Sequence, residues 1–235
     1  MANEFVGKVV MVTGANGNVG QAVARRFAGA GAKLIVVGRS EKDLESIAQE
    51  TGGMVGVADV TDPASVDTLV KQVEANYGKI DVLAHTVGGY AAGLPVHETG
   101  LDVWDKMLTL NAKSVFVTCG RVAKHMVDQK VAGRIIAILS KDAYKGRAKA
   151  AAYAASKAAA QRVLDSMSAE LGGNGITVNG IVPTMIDTPQ NRASSPNADF
   201  SKWVKPGEIA DAIAFLALDS SSAINGISLD IAGRV

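Results

Sequence analysis

Short apolar runs alternate along the chain with longer stretches in which apolar and polar residues follow a helical period. Apolar runs of this length bounded by turn residues predict buried strands, and the stretches between them predict helices. The predicted strands, about seven in number, lie near residues 8–13, 33–37, 54–58, 80–84, 133–139, 175–181 and 227–231. This alternation is typical of an α/β protein with a doubly wound parallel sheet and helices on both faces.

Two helix starts can be located from capping residues. Ser40 followed by Asp43 resembles a capping box, and Asp62 followed by Pro63 supplies a cap and a proline at the first helical position. The chain has no internal repeat and no linker, so we expect one domain over residues 1–235.

The first predicted strand runs directly into a glycine-rich turn. Lys8 to Thr13 is apolar, Gly14-Ala-Asn-Gly-Asn-Val-Gly20 follows, and Gln21 to Ala28 has a helical pattern. Glycines in this context permit a tight turn, and the helix N-terminus presents free N–H groups to a pyrophosphate. A turn without a ligand is the alternative, but the strand, turn and helix together favour a dinucleotide site.

A second motif is Tyr153-Ala-Ala-Ser-Lys157, with Ser140 upstream of the tyrosine and Asn111 further back. Tyrosine and lysine at i and i+4 lie on one face of a helix. An ammonium beside a phenol favours the phenolate, which lowers the phenol pKa from about 10 and suits a general acid and base. A chance surface contact is the alternative for the pair taken alone.

Composition narrows the possible functions. The formal net charge of +1 gives no basic field for nucleic acid, and the single Cys119 suits a reducing cytoplasm. No apolar run approaches the roughly 18 residues of a membrane span, and residues 1–4 lack the regions of a signal peptide. We therefore expect a cytoplasmic protein that binds neither membrane nor nucleic acid. The histidines lack metal-ligand spacing, so no metal site is expected.

These motifs resemble the short-chain dehydrogenase/reductases over nearly the whole chain, which implies a single-domain Rossmann fold. The landmarks occur in the order of that family: the glycine turn, Asp59-Val60, Asp81-Val-Leu, Asn111, Ser140, Tyr153, Lys157, Asn179 to Pro183, and Thr188. Within the family the chain looks most like bacterial 3-oxoacyl-acyl-carrier-protein reductases. It is particularly similar to a group with Val-Gly-Gly-aromatic after the fourth strand and Asp-Thr-Pro-x-Asn-Arg after the sixth.

The resemblance implies an oxidoreductase that moves a hydride between a nicotinamide cofactor and a carbonyl or alcohol substrate. Tyr153 would be the general acid and base, and Ser140 would orient the reacting oxygen. Lys157 would lower the tyrosine pKa and hold the nicotinamide ribose, while Asn111 would position a water behind the lysine. The simpler alternatives are a strand-end cap for Ser140 and a backbone-bonded polar residue for Asn111. Nearby Tyr144 has no lysine at i+4.

The end of the second strand, Gly38-Arg39-Ser40, bears on the choice of cofactor. A site that prefers NAD places a carboxylate there, whereas an arginine can bind the 2′-phosphate of NADP. We therefore expect NADP(H), with NAD(H) possible; Arg39 could instead be solvated or stack on adenine. The cofactor-binding positions implied by the resemblance are Thr13, Gly14, Asn16, Gly17, Asn18, Val19, Gly20, Arg39, Ser40, Asp59, Val60, Gly88, Tyr153, Lys157, Pro183, Ile186 and Thr188.

Some positions depart from the family pattern. Asn18 replaces a usual glycine, so the turn reads Gly-x-x-Gly-x-x-Gly as in a longer epimerase-like branch, whose extra substrate domain this chain is too short to hold. His85-Thr-Val-Gly88 replaces Asn-Asn-Ala-Gly, and we expect His85 to be a hydrogen-bonded structural residue. Leu139 and Thr184 stand where serine and glycine are common.

Two other functions stay open at this point. Val87-Gly-Gly-Tyr90 resembles a segment of dihydropteridine reductases, although Ser140 argues against that group. A non-catalytic dinucleotide sensor is the other, although the complete set of active-site residues argues against it.

The surroundings of the site are also predicted. Residues 184–206 form a long irregular segment that we expect to be a substrate lid, with Phe200 and Trp203 packing it against the body. Arg192 in this lid could meet an anionic group or be solvated. The helical stretches 104–126 and 150–171 carry more apolar surface than one sheet face needs, so we expect a homo-oligomer, a dimer or tetramer.

Overall fold

A computed structural model describes residues 3–234; Met1 and Ala2, part of the segment inspected for a signal peptide, and Val235 lie outside the described residues. Seven strands form one parallel sheet in the order β3-β2-β1-β4-β5-β6-β7. The α/β class and the predicted strand positions are confirmed to within about two residues. The strands are β1 Val9–Thr13, β2 Lys33–Gly38, β3 Met54–Val57, β4 Val82–His85, β5 Arg134–Ile138, β6 Thr177–Pro183 and β7 Ser228–Ile231.

Helices cover both faces of this sheet. The α-helices are α1 Asn18–Ala28, α2 Glu41–Thr51, α3 Pro63–Tyr77, α4 Leu101–Met107, α5 Ser114–Asp128, α6 Ala151–Leu171, α7 Pro189–Ser194 and α8 Pro206–Ala217. A π-helical turn over Leu108–Lys113 joins α4 to α5. The predicted helix over 104–126 is therefore one helical run with a change of hydrogen bonding at its centre.

The apolar character of the strands reflects burial on two sides. In β1, Val9 and Met11 pack into the core with α3, α5 and α6, whereas Val10 and Val12 pack into the core with α1, α2 and α8. All five residues of β1 are buried. Because each buried valine or methionine contributes about 1.5–3 kcal/mol relative to exposure, both faces of this central strand stabilise the sheet.

The order of the strands in the sheet reverses at β1, where β2 lies on one side and β4 on the other. Thr13 at the end of β1 pairs with Val37 of β2 on one side and with His85 of β4 on the other. The connections after β1 and β4 therefore leave in opposite directions and open a crevice at the carboxyl ends of the strands. A dinucleotide is expected in such a crevice.

The helix caps agree with one sequence prediction and correct another. Asp62 accepts hydrogen bonds from the backbone N–H groups of Ala64 and Ser65, and Pro63 opens α3 as expected. Ser40 does precede α2, but its side chain makes no capping hydrogen bond, so the predicted capping box with Asp43 is wrong. Its backbone is extended and its hydroxyl is left for other partners.

The segment over residues 184–206 is more ordered than the sequence indicates. It contains α7, begun by Thr188 capping Asn191, and a short 3₁₀ turn over Phe200–Lys202. Phe200 and Trp203 contact each other edge to face, with ring centroids 4.9 Å apart, and both are half-buried. The contact between these two rings lies within the segment. The fully buried Val204 attaches the segment to the core beside α8.

Within residues 3–234, no helix has the length and apolar character needed to cross a membrane. No group of three metal-ligating side chains occurs in the same residues. Cys119 is fully buried in α5, where burial raises the pKa of its thiol to about 12. This thiol stays protonated and unreactive.

Candidate active site

The glycine turn after β1 is closely packed. Gly14 has a left-handed backbone, with φ +69°, and a Cβ there would lie 3.0 Å from Oγ1 of Thr86. A Cβ on Gly20 would lie only 2.1 Å from the Gly14 carbonyl oxygen, so no side chain fits between the turn and α1. The Gly17 N–H donates to that same carbonyl at 2.9 Å. These contacts give the backbone cradle expected for a pyrophosphate.

The start of α1 is accessible at this turn. Gly17 precedes the helix without a capping side chain, and Asn16, Gly17 and Asn18 are exposed. Asn18 is the first residue of the helix and needs no left-handed backbone. Its side-chain nitrogen donates to Oε1 of Gln190 at 3.0 Å, which joins the glycine turn to α7. The free N–H groups and positive dipole end of α1 therefore face the crevice.

Two charged residues lie beside the ends of β2 and β3. Asp59 accepts hydrogen bonds from the Thr61 backbone at 2.9 Å and from the Thr61 hydroxyl at 2.8 Å. These bonds lower the pKa of Asp59, and the positive charges of Arg39 and Lys113 add to that effect. Arg39 is exposed at the strand tip. Asp59 and Arg39 therefore lie near each other at the carboxyl ends of β2 and β3.

Asn111 is held inside the π-helical turn. Its side chain is buried, donates to the Gly89 carbonyl at 3.0 Å and to the Ser156 hydroxyl at 2.9 Å, and accepts from the Gly89 N–H at 2.9 Å. The extra residue of the π turn directs this amide toward the loop after β4. Asn111 therefore fixes the backbone of that loop, in agreement with the alternative of a backbone-bonded polar residue.

Gly88 lies where the predicted active-site residues meet. A Cβ at Gly88 would be 3.0 Å from Oδ1 of Asn111 and 3.2 Å from Nζ of Lys157. Lys157 is buried and donates to the Ile138 carbonyl at 2.9 Å. Burial lowers the pKa of its ammonium to about 8. The loop after β4, the π turn and α6 thus converge on one point.

Ser140 and Tyr153 complete this group. The Ser140 hydroxyl accepts from the Asp142 N–H at 3.2 Å, which is the strand-end cap considered as an alternative. Burial raises the pKa of Tyr153, and the nearby Ser140 hydroxyl opposes this rise. The prediction that Lys157 lowers the pKa of Tyr153 is wrong: the pKa is raised, and the Lys157 ammonium donates to the Ile138 carbonyl instead.

His85 has a structural role, as expected. Its Nδ1 is 3.0 Å from the Thr13 hydroxyl and its Nε2 is 3.2 Å from the Ser114 hydroxyl. Ser114 gives its proton to the Leu110 carbonyl, so Nε2 of His85 donates to Ser114 and Nδ1 accepts from Thr13. Burial, aided by the charge of Lys157, lowers the pKa of His85 to about 3. The imidazole is neutral and joins β1 to β4 beneath the site.

Three residues near Tyr153 were missed as site residues by the sequence prediction. The ring of Tyr90 lies edge to face against Tyr153, with centroids 4.9 Å apart. Arg147 donates to the Tyr90 hydroxyl and to the Asp142 carboxylate, each at 3.1 Å. The Val-Gly-Gly-Tyr segment contained a signal for Tyr90 alone. Arg147 is 57 residues from Tyr90 along the chain, so no local pattern could reveal their contact.

The remaining predicted positions lie around the same crevice. Val60 is buried and its carbonyl accepts from Thr118, Pro183 ends β6, and Ile186 pairs with Val204 at the start of the lid segment. Arg192 does not stand free in that segment. It forms an ion pair with Asp187, with a nitrogen-to-oxygen distance of 2.7 Å, and lies over the Phe200 ring.

A dinucleotide fits the residues present. The turn is too tight for a Cβ at Gly14 or Gly20, and Gly88 offers bare backbone beside the lysine of the Tyr-x-x-x-Lys pair. A switch-point crevice that combines these two features defines a dinucleotide-binding oxidoreductase. Over residues 8–199 the sequence matches the family model described as short chain dehydrogenase, and the chain belongs to that family.

Individual relatives cover nearly the whole chain. The chain is 34% identical to D-threitol dehydrogenase of Mycolicibacterium smegmatis, covering 97% of this chain and 92% of the relative. It is 35% identical to 3-oxoacyl-(acyl-carrier-protein) reductase of Salmonella typhimurium, with 97% of each chain covered. The crystal structure of an NAD⁺-bound xylitol dehydrogenase superposes with a TM-score of 0.89 at 29% identity, covering 97% of this chain and 99% of that one. The protein is thus a nicotinamide-dependent oxidoreductase.

Proposed function

We propose that the protein interconverts a carbonyl and an alcohol, with Tyr153 exchanging the proton of the reacting oxygen. The convergence of Ser140, Tyr153, Lys157 and Asn111 around Gly88 is the observation that supports this proposal most directly. The nicotinamide supplies or accepts the hydride when it is bound. Every other requirement, from orientation of the oxygen to transfer of its proton, falls to side chains of this chain.

In the reducing direction, negative charge develops on the carbonyl oxygen and must be stabilised and then protonated. The Ser140 hydroxyl would donate to that oxygen, and the Tyr153 phenol would give it a proton. Burial keeps the phenol protonated, since it raises the pKa of Tyr153. In the oxidising direction the deprotonated oxygen of Tyr153 would accept the alcohol proton, so high pH would favour oxidation.

Lys157 has two proposed tasks. Its ammonium lies 3.2 Å from the position of a Cβ on Gly88, so the lysine would contact the ribose of a nicotinamide nucleotide on this loop. It would also supply protons to Tyr153, because a pKa of about 8 lets the group gain and lose a proton near neutral pH. Asn111 would hold the Gly89 backbone in place through its two hydrogen bonds and position a water behind Lys157.

NADP(H) is the cofactor we propose, on the basis of Arg39. Its guanidinium is exposed at the tip of β2, where a 2′-phosphate would lie. None of the residues 38–40 is acidic. The remaining backbone contacts would come from the glycine cradle and from Asp59, Val60, Pro183, Ile186 and Thr188. Residues 184–206 would close over the substrate.

We also propose that the protein is a homo-oligomer and that it works in the cytoplasm. A groove of about 720 Å³ runs between α5 and α6 and is lined by apolar side chains that include Phe116, Val127, Val163 and Met167. Phe116 is 67% exposed, which is unusual for a phenylalanine on a monomer surface. Pairing of these helices between two copies would cover it.

The function is tested by a turnover screen with both reduced and both oxidised cofactors. Ketones, 3-oxoacyl thioesters, sugars, polyols, steroids and quinonoid pteridines form the panel, since relatives of this chain carry names from several of these classes. We expect carbonyl reduction that disappears in Tyr153→Phe. Cofactor binding without turnover on any member, or turnover that survives this substitution, contradicts the proposal.

A further inference from the structure

Four residues are linked in sequence beside the phenol of Tyr153: Tyr90, Arg147, Asp142 and Ser140. Tyr90 packs edge to face on Tyr153 with an interplanar angle of 76°, and its hydroxyl accepts from Arg147 at 3.1 Å. Arg147 pairs with the Asp142 carboxylate at 3.1 Å, and the Asp142 N–H donates to the Ser140 hydroxyl at 3.2 Å. The Ser140 hydroxyl in turn acts on the Tyr153 phenol, whose pKa it lowers. We call Tyr90, Asp142 and Arg147 the tyrosine clamp.

The members of the clamp come from distant parts of the chain. Tyr90 follows β4, whereas Asp142 and Arg147 lie between β5 and α6. Arg147 therefore adds a side-chain link between two loops that the Gly93 N–H and the Lys149 carbonyl also join, at 2.8 Å, and its guanidinium lies 6.0 Å from the centre of the Tyr90 ring. The Asp142 side chain is only 15% exposed, so its pairing with Arg147 avoids leaving a carboxylate alone beside the active site.

We propose that the tyrosine clamp is a positioning unit for the Tyr153 phenol: Tyr90 holds the ring toward Ser140, and the Asp142–Arg147 pair balances the charge around it. This inference rests on the proposed function only where turnover is the measure. The contacts themselves exist whatever the substrate is.

The two charges of the clamp act on the phenol in opposite directions. Asp142 favours the neutral phenol and so raises the pKa of Tyr153, while Arg147 favours the phenolate and lowers it. The other groups that face the phenol are Tyr90 and Ser140, with Lys157 one helical turn further along α6. Removing one partner of the ion pair therefore exposes the phenol to the other charge, since opposite charges no longer cancel.

Ionisation of Tyr153 can be measured without a substrate. The phenolate is followed by ultraviolet difference absorbance as pH is raised, and the titration of each protein with Tyr153→Phe added is subtracted from its own to remove the other three tyrosines. In Asp142→Asn the midpoint should move to lower pH. In Arg147→Met it should move to higher pH. Lys145→Met removes an exposed cation from the same loop and should leave the midpoint unchanged.

Tyr90 is tested through its ring and its hydroxyl separately. Tyr90→Leu removes the edge-to-face contact, so kcat should fall roughly three- to tenfold with a smaller change in KM. Tyr90→Phe keeps the ring and should restore most of that loss. Binding of reduced cofactor, followed by fluorescence, should match the parent in both variants and shows that each is folded.

Midpoints that stay at the parent value in both Asp142→Asn and Arg147→Met would overturn the proposal. So would midpoints that move in the same direction, or a Tyr90→Phe variant as impaired as Tyr90→Leu. The proposed function fails separately, through turnover that survives Tyr153→Phe. The titration reports on the clamp in either case.

Discussion

The side-chain amide of Asn18 donates to the side-chain carbonyl of Gln190 at 3.0 Å, which links the first turn of α1 to α7. Position 18 belongs to the glycine turn and position 190 to the lid segment, so this bond connects the proposed pyrophosphate site to the proposed lid. Both side chains are exposed, and the bond is neutral, so its contribution is modest. Asn18, which stands where the family usually has glycine, therefore has Gln190 as a hydrogen-bond partner.

From this contact we predict a matched effect of Asn18→Ala and Gln190→Ala on cofactor retention. Each should raise the dissociation constant of the reduced cofactor roughly two- to fivefold, because an exposed neutral hydrogen bond contributes little. Fluorescence titration measures both variants. The double variant should be no weaker than either single one. Additive losses in the double variant would show that the two residues act independently.

Tyr153→Phe should remove nearly all turnover, a loss on the order of 100-fold or more, while cofactor affinity stays within about twofold. Only the oxygen that transfers the proton is lost. Steady-state rates and cofactor titration provide the two measurements. Tyr144→Phe is the matched control, because the Tyr144 hydroxyl bonds Asp230 and the Ser228 carbonyl instead. Comparable losses in both variants would contradict the assignment of Tyr153.

Lys157→Met should lose turnover and cofactor affinity together, since the ammonium has both proposed tasks. Its effect on stability should depend on pH. Burial lowers the folded-state pKa of Lys157 to about 8, from a model-compound value of 10.5. Between these two values the unfolded chain binds more protons than the folded one, so stability due to this group rises with pH.

The measurement is the free energy of unfolding of parent and Lys157→Met at pH 7 and pH 9.5. The difference should move in favour of the parent at the higher pH, because the folded parent no longer holds a buried charge there. Exposed Lys145→Met is expected to show no such trend. A pH-independent difference between parent and Lys157→Met would mean that the buried amine keeps an ordinary pKa.

Phe116→Glu should yield a smaller species than the parent in sedimentation at micromolar concentration. Phe116 lines the groove between α5 and α6 and is the most exposed phenylalanine beside it. A carboxylate there would be buried without a partner in a paired interface. Val57→Glu places the same charge at a 50% exposed valine on the edge strand β3 and is the control. A monomeric parent would contradict the proposed assembly.

Much of the fold could be predicted because its strands are buried on both faces. β1 is apolar at every position apart from Thr13, and a run of this kind is detectable without knowledge of its neighbours. The glycine turn was equally detectable, since Gly14 has a left-handed backbone and a Cβ on Gly20 would meet the Gly14 carbonyl six residues before it. The α6 pair was detectable from helical spacing alone.

Other features depend on contacts that sequence spacing does not encode. Ser40 has the residue type of a cap and the correct position, but its side-chain geometry is not set by the local pattern. The order within residues 184–206 depends on Val204 reaching the core. The bond between Arg147 and Tyr90 depends on how two loops meet at the ends of β4 and β5, which only the folded chain determines.

The final prediction concerns the cofactor. If Arg39 binds the 2′-phosphate of NADP(H), this partly exposed, charge-assisted contact should contribute about 1.5–3 kcal/mol, equivalent to a roughly ten- to hundredfold preference for NADPH over NADH. Raising the salt concentration should narrow the preference, because screening weakens exposed ion pairs. The ratio of the two dissociation constants, taken from fluorescence titrations, is the quantity to follow.

Arg39→Asp should reverse this ratio. A carboxylate at the tip of β2 repels the 2′-phosphate and can accept a hydrogen bond from the ribose 2′-hydroxyl of NADH. Lys42→Asp is the matched control, since it makes the same change of charge at an exposed position in the first turn of α2. Lys42→Asp should alter the ratio of dissociation constants much less. The two variants share the general electrostatic effect of the charge change, and only Arg39→Asp also removes the proposed contact with the phosphate. Equal affinities in the parent, or the same change in both variants, would show that Arg39 does not contact the phosphate and that the preference for NADP(H) proposed from it is wrong.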